Sequence, residues 1–98
     1  MVGYRFDPSK DAWLQAARGL GFEAIIAAIA AGHLLRVVAN PRYTGQEILE
    51  VLVSGSVAGQ RDYVYRVPVH RGADGTVWLI TLYPSRRATR AHRKASEA

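Results

Sequence analysis

Five cationic side chains lie close together near the end of the chain. The last 15 residues carry these cations against Glu97 alone, which gives this segment a net charge of +4 within a total of +5. A concentrated positive surface attracts phosphates or an acidic partner, and the planar guanidinium group binds either one bidentately. The segment therefore predicts a site for phosphate or carboxylate groups, formed by Arg86, Arg87, Arg90, Arg93 and Lys94.

Few side chains near this segment could transfer protons. His70 and His92 are the histidines that neighbour it in sequence, and imidazole is the side chain that titrates near neutral pH. Tyr83 could donate a proton or stack on a nucleobase, and an exposed Tyr63 or Tyr65 could also stack. Ordinary surface histidines and tyrosines that pack in a sheet remain open alternatives for these residues.

Composition excludes several classes of site. The chain has 98 residues without cysteine, so disulfides, thiolate metal ligands and a cysteine nucleophile are excluded. Three scattered histidines do not predict a zinc site, and we expect neither a metal nor another cofactor. Its 49% hydrophobic and 21% charged residues are typical of a folded domain, which we expect to span residues 1–98. No secretory signal or membrane-spanning stretch is visible, so we expect a cytoplasmic protein.

Two helices are predicted after a short opening strand, Val2 to Phe6. Asp7 can cap the first helix and Pro8 suits its first position, so that this helix runs from about Pro8 to Arg18. Its apolar spacing places Trp13 on the buried face. A second helix, from Phe22 or Glu23 to Gly32, has an apolar stripe at Phe22, Ile25, Ile26 and Ile29.

Four further strands are predicted from apolar and alternating patterns: Leu34–Ala39, Ile48–Val53, Asp62–His70 and Thr76–Tyr83. The last two form a hairpin through Ala73-Asp74-Gly75, and we expect Trp78 in the core. Pro68 cannot donate a hydrogen bond, so the third of these strands should be an edge there or carry a bulge.

Ser85 is predicted to cap a final helix that ends near Ala95. Arg86, Arg90 and Arg93 would share an outward face, while Ala88, Ala91 and Ala95 would form a seam against the body. The fold class is then α+β, with two N-terminal helices packed on a small antiparallel sheet of four to five strands and a basic C-terminal helix.

Three segments carry a family resemblance: Phe6-Asp7-Pro8-Ser9-Lys10, Gly21-Phe22-Glu23 and Ser85-Arg86-Arg87-Ala88-Thr89-Arg90. In order and spacing they resemble the BrnT-like toxins of bacterial type II toxin–antitoxin pairs. The resemblance implies a RelE-like fold and cleavage of mRNA, either free or on the ribosome. It also implies neutralisation by a cognate antitoxin protein, in a hetero-oligomer that masks the arginine face.

Residue by residue, Arg86, Arg87 and Arg90 match the arginine segment of these toxins, and Lys10 matches their early lysine. The chain departs from the family pattern at two places. Ala17-Arg18-Gly19 replaces a lysine–histidine–glycine run, and His92 stands where members carry glutamate. These departures motivate an alternative, a non-catalytic module that binds RNA or protein, such as a decayed toxin.

Metal-independent RNA cleavage needs few groups. The 2′-hydroxyl attacks the adjacent phosphate, a base and an acid move protons, and cations stabilise the phosphorane. Each well-placed donor contributes roughly 3–4 kcal/mol in other enzymes. A solvated helix surface is the competing interpretation of the arginine face. We predict as catalytic Arg86, Arg90, His70 and Tyr83, and as RNA-binding Lys10, Arg66, Arg87 and Arg93.

Overall fold

The structure, a computed structural model, describes residues 3–54 and 62–97. Six strands and three helices follow one another in that part of the chain. Their bounds are β1 Tyr4–Phe6, α1 Pro8–Arg18, α2 Phe22–Ala30, β2 Leu34–Ala39, β3 Gln46–Val53, β4 Tyr63–Arg71, β5 Val77–Leu79, β6 Tyr83–Pro84 and α3 Arg86–Glu97. Val2, in the predicted opening strand, lies outside the described residues.

The strands form one mixed sheet in the order β1-β5-β4-β3-β2, and β6 pairs with β4. The α+β class is confirmed, but the prediction of a purely antiparallel sheet with four or five strands is wrong. β1 pairs in parallel with β5, whereas the other pairs are antiparallel. β1 and β2 lie at opposite edges, because α1 and α2 carry the chain between them across one face of the sheet.

α1 begins as predicted, since the Ser9 amide donates to Asp7 Oδ1 at 2.9 Å. The prediction that Trp13 is buried is wrong: Trp13 is 53% exposed, and Leu14 is fully buried instead. The inward face of α1 also carries Asp11, whose Oδ1 accepts the Phe22 amide at 2.7 Å. That bond caps α2 and requires Asp11 to face it. Because successive residues of an α-helix are rotated by about 100°, the position of Asp11 fixes which side chains of α1 point inward.

The core lies between α1, α2 and one face of the sheet. Phe22 and Ile25 of α2 are fully buried there, and the Phe22 ring lies 5.1 Å from that of Phe6. The sheet contributes alternate residues of its strands, as the two-residue period requires. They include Leu49, Val51, Val53, Tyr65, Val67, Val69, Val77 and Leu79.

The intervening side chains point to the opposite side of the sheet, which we call the open face. In neighbouring strands their Cα atoms are paired, so the side chains form rows across the sheet. The open face includes Arg5, Arg36, Ile48, Glu50, Arg66, Pro68, His70 and Trp78.

The predicted strand Thr76–Tyr83 is interrupted. Val69 of β4 pairs with Leu79, and Arg66 of β4 pairs with Tyr83. Between these two pairs, residues 67 and 68 of β4 lie opposite three residues of the neighbouring segment, 80–82. Pro68 lies opposite this gap and accepts a hydrogen bond from the Ile80 amide at 3.0 Å. β4 is an interior strand, so the edge alternative is wrong, and the irregularity lies in its partner. The extra residue inverts the alternation, which buries Leu82 and brings Tyr83 to the open face beside Arg66.

The turn between β4 and β5 lies at the predicted residues. The Gly75 amide donates to the Gly72 carbonyl, and Gly75 has a left-handed φ of +85°. The Thr76 amide donates to Asp74 Oδ1 at 2.9 Å, and this bond lowers the pKa of the Asp74 carboxyl.

α3 is attached through its first two turns. Ser85 Oγ accepts the Ala88 amide at 3.0 Å, which confirms the predicted cap. Thr89 is 2% exposed; its Oγ1 accepts the Val64 amide and donates to the Ser85 carbonyl. The predicted alanine seam is wrong for Ala91 and Ala95, which are exposed. The Ser85 amide still donates to the Val64 carbonyl at 2.9 Å, but the chain then enters α3, so the buried Val64 amide takes the Thr89 hydroxyl as its acceptor. None of the helices in the described ranges is long and apolar enough to span a membrane.

Candidate nucleic-acid interface

One side of α3 forms a cleft of about 610 Å³ against the start of β4, which we call the α3 cleft. Its lining residues from α3 recur at helical spacing, so they share one face of the helix. Four of them are cations and one is an acid. The cleft is lined by Tyr63, Arg86, Thr89, Arg90, Arg93, Lys94 and Glu97.

The sheet fixes two walls of the α3 cleft. Tyr63 packs edge-on against the buried Tyr65, with ring centroids 6.2 Å apart. Arg93 Nη2 donates to the Asp62 carbonyl at 3.2 Å, which holds this guanidinium against the end of the sheet. Because Thr89 anchors the helix between them, the cations face a structured surface rather than solvent on every side.

The opposite side of α3 borders the open face. Here Glu50, only 9% exposed, lies between two arginines: Arg36 Nε is 3.7 Å from Glu50 Oε1, and Arg66 Nε is 3.3 Å from Glu50 Oε2. With Arg87, Ser85, Ala88 and Ala91 these side chains line a cleft of about 270 Å³, the Arg87 cleft. Three cations against one carboxylate leave this cleft positive.

A third cleft, of about 390 Å³, lies beside it on the open face and shares Arg66 with it. Ile48 and Pro68 line it, together with Tyr83 and Thr81 after the break in the last strand. The loop Asn40, Pro41, Arg42 and Tyr43 completes this Tyr83 cleft. Two arginines and two tyrosines therefore share this cleft.

His70 lies further along the open face, in a row with Trp78 of β5 and Gln46 of β3. It is exposed and lines none of the three clefts. The prediction that Trp78 lies in the core is wrong. Its indole is 43% exposed on the open face, and the Arg5 guanidinium carbon lies 6.0 Å from the ring centroid.

Lys10 lies on α1, where its Nζ is 4.6 Å from the centroid of the Trp13 ring. It lines none of the three clefts. His92 is half-buried on α3 and lines a separate cleft of about 500 Å³ with Asp62 and Ser96.

The four side chains predicted as catalytic do not share one cleft. Arg86 and Arg90 meet in the α3 cleft, Tyr83 lines the Tyr83 cleft, and His70 lies outside both. Of the residues predicted to bind RNA, Arg93 lies in the α3 cleft, Arg87 in the Arg87 cleft and Arg66 in both clefts of the open face. Arg36, Tyr43 and Glu50 were not predicted as site residues from the sequence, Trp78 was assigned to the core, and Lys94 was predicted only as part of the cationic segment. Glu50 had a signal, as the single charge in an otherwise apolar strand.

Comparison of the chain with protein-family models, curated proteins and solved structures finds no significant match.

Proposed function

We propose that the protein is the toxin of a type II toxin–antitoxin pair, a metal-independent endoribonuclease that cleaves mRNA and inhibits translation. The observation that carries this proposal is the grouping of Arg86, Arg90, Arg93 and Lys94 around the α3 cleft. A phosphodiester that enters there meets several guanidinium groups at once. The order of the motifs that resemble the BrnT-like toxins supports the proposal, and the RelE-like fold that they imply is part of it.

In this mechanism the cleft stabilises the charge that develops when the 2′-hydroxyl attacks the adjacent phosphate. Arg86 and Arg90 contact the scissile phosphate, and Arg93, bonded to the Asp62 carbonyl, orients the strand. Bidentate guanidinium donors favour the phosphorane over the ground state, because the phosphorane carries more negative charge on its oxygens. Tyr63 and Glu97 also line the cleft and can exchange protons there, whereas His70 is placed elsewhere.

The test is cleavage of mRNA by the purified protein, with and without ribosomes, together with growth on expression. Arg86→Ala and Arg90→Ala should each lower cleavage by about 100-fold or more, the effect of removing one transition-state donor. Both residues are exposed, so thermal unfolding should not change. Arg71→Ala is the matched control, because Arg71 pairs with Glu47 away from the α3 cleft. Intact mRNA in both assays, without growth arrest, would contradict the proposal.

A second candidate is a non-catalytic module that binds RNA or protein. It is favoured by the separation of His70 and Tyr83 from the α3 cleft, because a nuclease that uses all four predicted residues needs them at one phosphate. This module would bind RNA with salt-sensitive affinity and leave it intact. Unchanged binding after both His70 and His92 are replaced by alanine, without any cleavage by the wild type, would select this function.

The proposed partner is a cognate antitoxin that covers the arginine face in the cytoplasm. An acidic or apolar segment of such a protein would neutralise the four cations of the α3 cleft. A small reading frame next to the gene, with a ribbon–helix–helix or helix–turn–helix pattern, is the expected source. Co-expression of the protein encoded there should restore growth, and that protein should form a complex with the toxin.

A further inference from the structure

Trp78 exposes an indole that the core does not use. Its neighbours Val77 and Leu79 are both buried, while the Trp78 side chain points to the open face and remains 43% exposed. Ile80, two residues further along the chain, is also exposed. Packing in the core therefore does not explain a large aromatic side chain at this position.

Polar side chains border the indole on both sides. Arg5 on β1 and His70 on β4 are the Cα partners of Trp78, so each lies one strand away, about 4.8 Å in backbone spacing. The Arg5 guanidinium carbon lies over the ring, 6.0 Å from its centroid, a cation–π contact that adds positive charge at one face of the indole. The indole therefore lies between a cation and an imidazole that can both bind a phosphate or a base edge.

The same pattern continues toward α3. The Tyr83 cleft places Tyr83 and the 58%-exposed Tyr43 near Arg42 and Arg66, and Arg66 also lines the Arg87 cleft. Aromatic and cationic side chains thus occur together at both ends of the open face, on either side of the apolar row formed by Ile48 and Pro68. Proteins that bind single-stranded nucleic acid combine these two groups, because bases stack on the rings while cations bind the backbone.

We propose that the open face binds single-stranded RNA and that Trp78 is a stacking platform for one unpaired nucleobase. The inference rests on the proposed function, since it assigns a base-binding position to the RNA whose phosphates enter the α3 cleft. Charge selects RNA as the occupant, because among the described residues the cations on and beside the open face outnumber Glu50, the one carboxylate that lines its two clefts. These cations are Arg5, Arg36, Arg42, Arg66 and Arg87.

The test uses the two tryptophans of the chain as matched reporters, Trp78 on the open face and Trp13 on α1. The probe is a mixed-sequence 2′-O-methyl oligoribonucleotide of about 12 nucleotides, which lacks the nucleophile and cannot be cleaved by the proposed mechanism. Its addition should quench the fluorescence of the Trp13→Phe protein, which retains Trp78. The Trp78→Phe protein, which retains Trp13, should show little quenching.

Affinity separates stacking from general attraction. Trp78→Ala should weaken binding of the probe by about 5- to 150-fold, the range found when one base-stacking side chain is removed, and Trp78→Phe should retain most of the affinity. Trp13→Ala should bind like the wild type. A probe of the same length without bases should bind equally to the wild type and to Trp78→Ala.

Equal affinities of Trp78→Ala and Trp13→Ala for the base-containing probe would overturn the stacking proposal. Quenching of Trp78 by a folded protein partner but by no oligonucleotide would overturn it as well. The nuclease proposal fails on a different result, intact natural mRNA in the presence of a protein that still binds the probe. Cleavage of mRNA without any change in Trp78 fluorescence on addition of the probe would contradict the stacking proposal alone and would leave the nuclease proposal in place.

Discussion

Glu50 shows how one side chain organises the open face. Its carboxylate lies within 4 Å of both Arg36 and Arg66, and these two arginines belong to the strands on either side of β3. Arginine side chains would otherwise extend into solvent from a sheet surface. Because Glu50 holds Arg66 at the boundary of two clefts, a structural ion pair also positions a residue that we propose to bind RNA.

Glu50→Ala should lower the free energy of unfolding by about 1–3 kcal/mol, because it leaves a half-buried Arg66 without its counter-charge. Urea unfolding measures this change. Glu47→Ala is the matched control on the same strand: its partner Arg71 is half-exposed, and the expected change is below about 1 kcal/mol. Equal losses in the two variants would show that the Glu50 cluster adds no stability of its own.

At the scale of elements, α3 depends on Thr89. The Thr89 hydroxyl satisfies the Val64 amide at 2.9 Å and returns its own proton to the Ser85 carbonyl at 2.7 Å. One side chain therefore joins the first turn of α3 to β4 where strand pairing stops. The cations of the α3 cleft are presented at a fixed angle only while this contact holds.

Thr89→Val keeps the shape of the side chain but leaves the Val64 amide buried without an acceptor. We expect a loss of about 1–3 kcal/mol in the free energy of unfolding. The Val64 amide should also exchange with solvent faster, which nuclear magnetic resonance can follow. Thr89→Ser should retain both bonds, and Ser96→Ala, which removes an exposed hydroxyl bond of α3, should change little. Unaltered exchange at Val64 in Thr89→Val would contradict the role of this hydroxyl.

The α1–α2 corner depends on Gly21. A Cβ at this residue would collide with the Asp11 carboxylate, which caps α2 through the Phe22 amide. Gly21→Ala should therefore displace Asp11 and cost about 0.5–2 kcal/mol, the usual effect of losing a helix cap. Gly3→Ala is the control, because a Cβ there meets no atom within 4 Å. Thermal unfolding distinguishes them, and equal midpoints would contradict the close contact.

At the scale of the whole molecule, the described residues concentrate positive charge on the two sides of α3. The α3 cleft carries four cations on one side of α3, and the Arg87 cleft carries three on the other. Both border the same helix, so a single RNA strand that passes over α3 could contact both. The field of these cations would draw RNA toward the molecule before any specific contact forms.

The salt dependence of RNA binding tests this arrangement. Each phosphate neutralised on a single strand adds about −0.7 to the slope of log affinity against log salt concentration. The triple variant Arg86→Ala, Arg90→Ala, Arg93→Ala should therefore have a slope shallower by about 2 than the wild type. Arg71→Ala should leave the slope unchanged. An unaltered slope in the triple variant would place RNA outside the α3 cleft.

Local signals in the sequence determined most of the elements. The cap at Asp7, the bounds of α1 and β2, the turn at Asp74-Gly75 and the cap at Ser85 agree with the structure, because each depends on neighbours within a few residues. The positive charge of the last segment was equally readable. The contacts that set which helix face points inward are distant in sequence, and for this reason the predictions for Trp13 and the alanine seam failed.

Only the tertiary structure decided how the predicted site residues are distributed. An extra residue opposite Pro68 inverts the alternation of the last strand, which places Tyr83 on the open face and buries Leu82. Pro68 indicated an irregularity at this point, but two-residue periodicity could not show that the extra residue lies on the neighbouring strand. The parallel pairing of β1 with β5 likewise joins Arg5 to Trp78, two residues far apart in the chain. Periodicity describes one element at a time, whereas the site is formed where several elements meet.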